Sequence, residues 1–351
     1  MIEGAKGLNR LAVYASMKEY QSTPDRGSAV LTELLSVQDL NVTFNVYLGT
    51  VHAVNDAFLD VAAGEFVGLV GETGCGKSTL GLAITGLFEK GTTGVKGRIL
   101  FEGEDLLKKT PDEMREIRRT KMSMVFQDPT AALNPVYTVG DQITEAIMFS
   151  KRMSKGEAEK ETANVLSLLG IPDALKVMRQ YPHELSGGMR QRVMIAVALS
   201  KNPKLVIADE PTSNLDATIQ AQILDLMKDL ELKWNTSTLL ITHDMGVVAQ
   251  TCDKVAVMYA GQVIESGTVF QVFKKPSHPY TQGLLKVANL AGEKTRLESI
   301  AGTVPDLVDL PVGCLFSPRC HCAQKKCFES RPTPIEVEEG HFVTCLRETK
   351  V

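Results

Sequence analysis

Gly71-Glu72-Thr73-Gly74-Cys75-Gly76-Lys77-Ser78, followed by Thr79, decides how this chain is read. The octapeptide fits G-x-x-x-x-G-K-[ST], the phosphate-binding P-loop. Backbone N–H groups must turn inward round phosphate oxygens, and glycine allows that tight path without side chains. Lys77 offers a point charge to β- and γ-phosphates, and the Ser78 hydroxyl can ligate Mg²⁺. The flanks agree with this reading. Residues 65–70 read as a short buried strand, and 78–88 as a helix stopped near Gly91. The positive N-terminus of that helix would face the phosphates.

The chain has 351 residues, 44% hydrophobic and 23% charged, with a net charge of −4. That length is comfortable for two domains, and that composition buries a proper core. No basic run is present, so no nucleic-acid partner is expected. No apolar run approaches the ~18 residues of a membrane span; residues 193–199 come nearest. The first residues, Met1-Ile2-Glu3-Gly4-Ala5-Lys6, lack the regions of a secretory signal. A cytoplasmic chain is the expectation, with any membrane role supplied by a partner. Of the seven cysteines, Cys75 and Cys252 stand alone, while Cys314, Cys320, Cys322, Cys327 and Cys345 crowd the C-terminal tail. In a reducing compartment such a cluster suggests a metal site before disulfides.

Taken in order, residues 1–30 read as an appendage. Leu8, Leu11 and Tyr14 mark one face of a short helix, and 21–27 has a linker composition with Pro24. Residues 34–44 and 53–61 alternate as two strands, with Tyr47 in the turn between them. Beyond the P-loop helix, 98–101 suggests a strand, 111–119 a charged helix, and 122–127 an apolar strand ending on the Gln127 amide. Residues 128–135 form a turn-rich break, and 139–178 reads as helices inserted into the strand–helix alternation. Ser186-Gly187-Gly188 then opens a helix running to about Ser200, the geometry of an anion site at a helix N-terminus. Residues 205–210 are a buried strand ending in Asp209 and Glu210. An aspartate there suits Mg²⁺, and the adjacent glutamate can deprotonate an attacking water. Residues 238–243 repeat the pattern and end on His243, where ligand groups of open α/β sheets gather. Strands at 254–259 and 262–264 make a final hairpin round Gly261.

The order of these pieces resembles the nucleotide-binding subunit of an ATP-binding cassette (ABC) transporter, over roughly residues 34–270. The matching motifs are the P-loop, Gln127 in FQDP as the Q-loop, LSGGMRQR as the signature, LVIADE as Walker B, SNLD as the D-loop and ITHD as the switch histidine. The resemblance implies a P-loop NTPase (RecA-like) α/β core at 31–275, with an antiparallel β subdomain and a helical subdomain at about 128–184. It implies ATP and Mg²⁺ held by Gly71 through Thr79, with Ser78, Gln127 and Asp209 serving the metal. Glu210 would be the catalytic base, His243 would contact the γ-phosphate, and Gln127 would join Mg²⁺ to the transporter contact. Ser186, Gly187 and Gly188 would cap the γ-phosphate of ATP bound to a partner subunit. Tyr47 would stack on adenine, with Leu48 a competitor for the aligned position. Asn214 stands where alanine is commoner in the D-loop.

The tail narrows the resemblance. PSHPYT at 276–281 and IAGTVPDLVDLPVGCLFSPRC at 300–320 look like the C-terminal extension of oligopeptide/dipeptide importer ATPases, here residues 276–351. Cys314, Cys320, Cys327 and Cys345 fit that group's C-x5-C-x6-C-x17-C spacing, which resembles a [4Fe–4S] ligand set; Zn²⁺ also takes four thiolates. Cys322 departs from the group's pattern as a surplus thiol, and disulfides or free thiols are the alternative. The implied role is the ATP-hydrolysing subunit of an importer of di- or oligopeptides, at the cytoplasmic face of the cell membrane. Implied partners are a paralogous ATPase in a heterodimer, two membrane permeases and an extracytoplasmic solute-binding protein. Related importers handle nickel complexes or oligosaccharides. Long coiled-coil insertions and a second cassette, marks of soluble ABC ATPases that work on DNA or ribosomes, are missing from the sequence. An intact Glu210 and His243 argue against a mere nucleotide sensor.

Overall fold

The computed structural model describes residues 32–88, 92–213, 215–288 and 300–347. The helix and linker readings within 1–30, the helix stop at Gly91, and Asn214 lie outside the described residues. Two sheets carry the fold. The first is antiparallel, with strand order β2-β1-β4-β5: β1 is Glu33–Val46, β2 Gly49–Ala62, β4 Thr93–Phe101 and β5 Glu104–Asp105. The second runs β11-β12-β10-β9-β3-β8-β7-β6. Its centre is parallel: β3 (Phe66–Val70) lies between β8 (Ser237–Thr242) and β9 (Lys254–Tyr259), and β7 (Leu205–Asp209) between β8 and β6 (Met122–Val125).

Strands buried on both faces read as apolar runs, and all five residues of β3 are buried. Alternate side chains leave it in opposite directions. Phe66 and Val70 join one core with Val206, Ala208 and Leu240; Val67 and Leu69 join the other with Leu205, Ile207, Leu239 and Ile241. The antiparallel sheet closes the second core through Leu35, Val37, Leu59 and Ile99, with the P-loop helix α1 (Lys77–Thr85) supplying Leu80 and Ile84. Gly86 ends α1 in the left-handed region, five residues before the glycine expected to stop it.

The inserted block is helical as expected. Helices α2 (Val139–Lys151) and α3 (Lys155–Leu168) start on Thr138 and Ser154 caps, and the Thr144 and Thr162 hydroxyls meet between them at 2.9 Å. The signature helix α4 (Gly187–Leu199) runs from there into the first core through Val193, Met194 and Ile195.

One feature of the topology was not foreseen. The C-terminal residues add β12 (His341–Val343) and β11 (Ile335–Glu338) to the edge of the central sheet. β12 pairs antiparallel with β10 (Gln262–Thr268) through Glu265↔Val343 and Ser266↔Phe342. The tail is therefore part of the core sheet's hydrogen bonding. A strand of three residues gives no alternation window from which to read it.

Candidate nucleotide site

The P-loop bridges the end of β3 and the start of α1. Gly76 has φ 101°, and a Cβ there would lie 2.2 Å from the Ala53 carbonyl oxygen. Gly71 is as confined: a Cβ would come within 2.2 Å of the Met258 carbonyl. Any side chain at either place would push the loop off the neighbouring strands. Lys77 is buried, and its Nζ donates to the carbonyls of Gly71 (2.7 Å) and Glu72 (2.9 Å). The ammonium thus sits inside the curl of the loop, where phosphate oxygens would enter. Thr73, Gly74 and Ser78 are exposed on its rim, while Cys75 is fully buried and its thiol is pushed up by that burial.

Three residues predicted from separate motifs meet on one carboxylate. Gln127 Nε2 donates to Glu210 Oε2 at 3.0 Å, and His243 Nδ1 lies 3.0 Å from Glu210 Oε1. Glu210 has φ 44°, a left-handed backbone that glutamate rarely adopts. Its N–H is tied to the Ile241 carbonyl at 2.9 Å, so the end of β7 is pinned to β8 in that conformation. The carboxylate is aimed between the Q-loop and the switch histidine as a result.

Asp209 precedes it at the buried end of β7. Burial pushes its carboxyl above the ordinary value, and the hydrogen bond from Ser78 works the other way. Asp209 Oδ1 is buried with no hydrogen-bond partner among the described residues. An unpaired buried carboxylate oxygen is costly unless a cation meets it, and an all-oxygen donor set suits Mg²⁺. Ser78 and Asp209 therefore fit a divalent ion, with Gln127 on the same side of the site through Glu210.

The signature lies at the exposed start of α4. Ser186 caps it by accepting from the Met189 N–H at 3.3 Å, and nothing lies within 4 Å of a Cβ built on Gly187. Behind the cap, the buried Gln191 amide donates to the Pro211 carbonyl and couples α4 to the segment after Glu210. Tyr47 and Leu48 are both exposed at the β1–β2 turn, so the structure does not choose between them.

The expected thiolate set is not preassembled. Cys314, Cys320, Cys322 and Cys327 form no disulfide, and among the described residues no group of three or more His, Cys, Asp or Glu side chains is placed to hold a metal ion. Cys320 Sγ faces the thiol expected to be surplus, Cys322 Sγ, at 3.5 Å, and Arg347 Nη1 donates to Cys322 Sγ at 3.2 Å. Burial pushes the Cys320 thiol up to about 12 and the Cys314 thiol upward as well. The [4Fe–4S] and Zn²⁺ expectations find no support in this arrangement.

Two residues near the P-loop escaped the sequence reading. The Tyr280 hydroxyl accepts from the Glu72 N–H at 3.1 Å, and Arg319 meets the Glu72 carboxylate at 2.8 Å. Neither belongs to a motif of the nucleotide core; both come from the C-terminal residues, folded back over it.

Comparison with known proteins bears on this geometry. A family model described as ABC transporter matches residues 54–213, and one described as oligopeptide/dipeptide transporter, C-terminal region, matches 264–327. The dipeptide transport ATP-binding protein DppD of Bacillus subtilis is 49% identical over 90% of this chain and 95% of its own. The oligopeptide transport ATP-binding protein OppD of Escherichia coli is 47% identical over 90% and 93%. Among solved structures, the dimeric ATP-binding cassette MJ0796 bound to ADP and Pi superposes with a TM-score of 0.61 at 28% identity, covering 67% of this chain and 99% of that one. CbiO1 of Clostridium perfringens gives 0.60 at 30%, covering 70% and 92%.

Proposed function

The chain belongs to the ATP-binding subunits of ABC transporters, and we propose that it hydrolyses ATP to drive uptake of di- or oligopeptides. The observation that carries the hydrolytic part is the convergence of Gln127 and His243 on Glu210, beside the buried Asp209 and Lys77. The peptide part rests on the matched C-terminal region and on the relatives' names.

Each step is assigned to this chain's own residues. P-loop N–H groups and Lys77 hold the β- and γ-phosphates. Ser78 and Asp209 would hold Mg²⁺, with Gln127 as a further candidate ligand; the ion would supply neutralisation of charge on the phosphate oxygens. Glu210 accepts a proton from the attacking water, whose oxygen bonds to the γ-phosphorus as the bond from that phosphorus to the β–γ bridging oxygen breaks and ADP leaves. His243, on the other oxygen of Glu210, orients that carboxylate and reaches the γ-phosphate. Tyr47 packs against adenine. Ser186, Gly187 and Gly188 present N–H groups and a hydroxyl to ATP held by a second subunit, which explains an exposed helix N-terminus next to an open glycine.

One chain then supplies half of each composite site, and the partner is a paralogous ATPase. Among the described residues no helix is long and apolar enough to cross a membrane, so the transport path belongs to permease partners, fed by an external binding protein. A groove of about 340 Å³ between the Q-loop and the helical subdomain supports their docking at the cytoplasmic face: Phe126, Leu133, Phe149 and Met194 line it together with Arg119 and Lys201. Phe126 adjoins Gln127, so an occupant of that groove would act on Glu210 through one residue.

The test is reconstitution with the permeases, paralogue and binding protein in vesicles. ATP-dependent uptake of labelled di- or oligopeptides is expected. ATP-driven uptake of a nickel complex or an oligosaccharide, with no peptide transported, would overturn the substrate assignment.

A metal in the extension is a second reading, favoured by one observation: Cys314 has Cys345, Cys327 and Cys320 as electrostatic neighbours. Ligation would require those thiols to lose their protons. Iron and zinc analysis of anaerobically purified protein decides it. About four irons per chain, lost in Cys320→Ser and kept in Cys322→Ser, supports the cluster; no stoichiometric metal removes it.

A further inference from the structure

We propose that Arg319 is a positioning residue for the P-loop, and that through it residues 300–320 form an outer wall of the nucleotide site. This rests on the P-loop's binding ATP.

Arg319 grips Glu72, the second residue of the P-loop, with a two-pronged contact: Nη1 to Oε2 at 2.8 Å and Nη2 to Oε1 at 3.1 Å. Paired N–H···O bonds of this kind fix direction as well as distance. The guanidinium is itself held. Its Nε donates to the Ala301 carbonyl at 2.9 Å and Nη2 to the Ile300 carbonyl at 3.2 Å. The Tyr259 ring lies 5.6 Å beneath it. Its side chain is only 5% exposed. Such a side chain has little freedom left, and what it holds shares that order.

Glu72 is gripped on its backbone too, by the Tyr280 hydroxyl. Tyr280 packs at 4.8 Å from Tyr259 and 5.4 Å from Phe316, three residues before Arg319. The same segment touches the opposite lip of the site. The Leu307 carbonyl accepts from the His52 N–H at 2.8 Å, and Val308 packs against Gly49 beside the Tyr47 turn. Residues 300–320 thus span from the β1–β2 turn to the P-loop.

The clamp matters for phosphate binding in two ways. The Glu72 carbonyl is one of the two partners of Lys77 Nζ, so the placement of Glu72 sets the placement of that charge. Its carboxylate would otherwise stand unpaired near an incoming polyphosphate, a repulsion between like charges. Arg319 removes the second problem while fixing the first.

The test compares Arg319→Gln, Arg319→Lys, Glu72→Gln and the Glu72→Gln/Arg319→Gln pair in the full chain. MgATP is titrated against the chain alone, and turnover is measured in the assembled transporter. Arg319→Gln should weaken MgATP binding about tenfold, the scale of a lost charge-assisted bond. In turnover the loss should fall on KM rather than kcat. Adding Glu72→Gln should recover the part that comes from the stranded carboxylate and leave the part that comes from the lost placement. Arg319→Lys, which keeps charge and loses the fork, should fall between, and it also covers the case in which Arg319→Gln does not fold. Unchanged affinity in Arg319→Lys and in any folded Arg319→Gln, or a loss that Glu72→Gln does not relieve, would leave Arg319 a purely structural residue and overturn the proposal. A wild-type chain that binds no MgATP would sink the functional reading itself. Wild-type binding weakened by Lys77→Ala, with the arginine variants unaffected, would sink the clamp alone.

Discussion

Residues 71–79 build a binding loop from one unbroken stretch, whereas residues 300–347 reach their place through pairs far apart in the chain. In the P-loop, the ammonium, its carbonyl partners and the helix start all lie within a few residues of one another. In the extension, Arg319 finds Glu72 across 247 positions and His341 Nε2 finds Glu265 Oε1 across 76, at 2.9 Å. The first kind of site is specified by local backbone freedom: Gly76 and Gly71 are where they are because no Cβ fits. The second is specified by burial. Glu265 is fully buried, and it accepts from the Ser277 N–H at 2.7 Å, the His278 N–H at 2.9 Å and His341. A buried carboxylate with three donors anchors the tail, but no single donor is recognisable in advance.

If the loop works by charge and the tail by burial, their variants should differ in kind. Lys77→Ala should give the largest effect on binding. Loss of a charged donor to phosphate is worth about 1.5–3 kcal/mol, or roughly ten- to a hundredfold in MgATP affinity, with little change in thermal unfolding. Unaltered affinity by titration would remove Lys77 from the phosphate site.

On the tail side, the readout is pH. His278 is fully buried, and that burial pulls its pKa down to about 4, against the Glu265 carboxylate, which works to raise it. The unfolded chain takes up this proton at ordinary histidine pH, so it binds more protons than the folded chain between about pH 6.5 and 4. Stability is present above that window and is lost as pH falls through it, by roughly 2 kcal/mol between pH 7 and 5. The Nδ1 of His278 accepts from the Tyr280 N–H at 3.0 Å, a cap that asparagine can reproduce. His278→Asn should flatten the dependence of the unfolding midpoint on pH in this range. An equally steep dependence in the variant would place the titration elsewhere.

The smallest effect is expected at the signature. Ser186→Ala removes the side-chain cap of α4, worth about 1 kcal/mol of stability. If Ser186 also serves a second subunit's ATP, turnover of the assembled transporter should fall by more than this loss of stability explains. A matched, small loss in both would reduce Ser186 to a cap.

The same contrast explains what could be read in advance. The buried strands β3, β7, β8 and β9 announce themselves as apolar runs, and β9 was placed at its observed bounds. Gln127, Glu210 and His243 were each identifiable because each follows such a run, at the sheet edge where the parallel strands end. Their meeting on one carboxylate was not written in the spacing; it depends on the left-handed backbone at Glu210 and on the order of β6, β7 and β8. Arg319 was hidden for a different reason. It lies in a proline-containing turn among cysteines, and the cysteines drew the chemical reading. The residue that reaches the P-loop is the one just before Cys320, and a cysteine count says nothing about it.

Hydrolysis by a water that Glu210 deprotonates stands or falls on Glu210→Gln. The amide keeps the size of the side chain and a hydrogen bond with His243 but cannot accept the proton. Steady-state ATP turnover of the assembled transporter, with the partner's own site disabled, should fall by about 10²–10⁴, while MgATP affinity stays near wild type. Turnover close to wild type in a variant that still binds MgATP would remove Glu210 from the role of base.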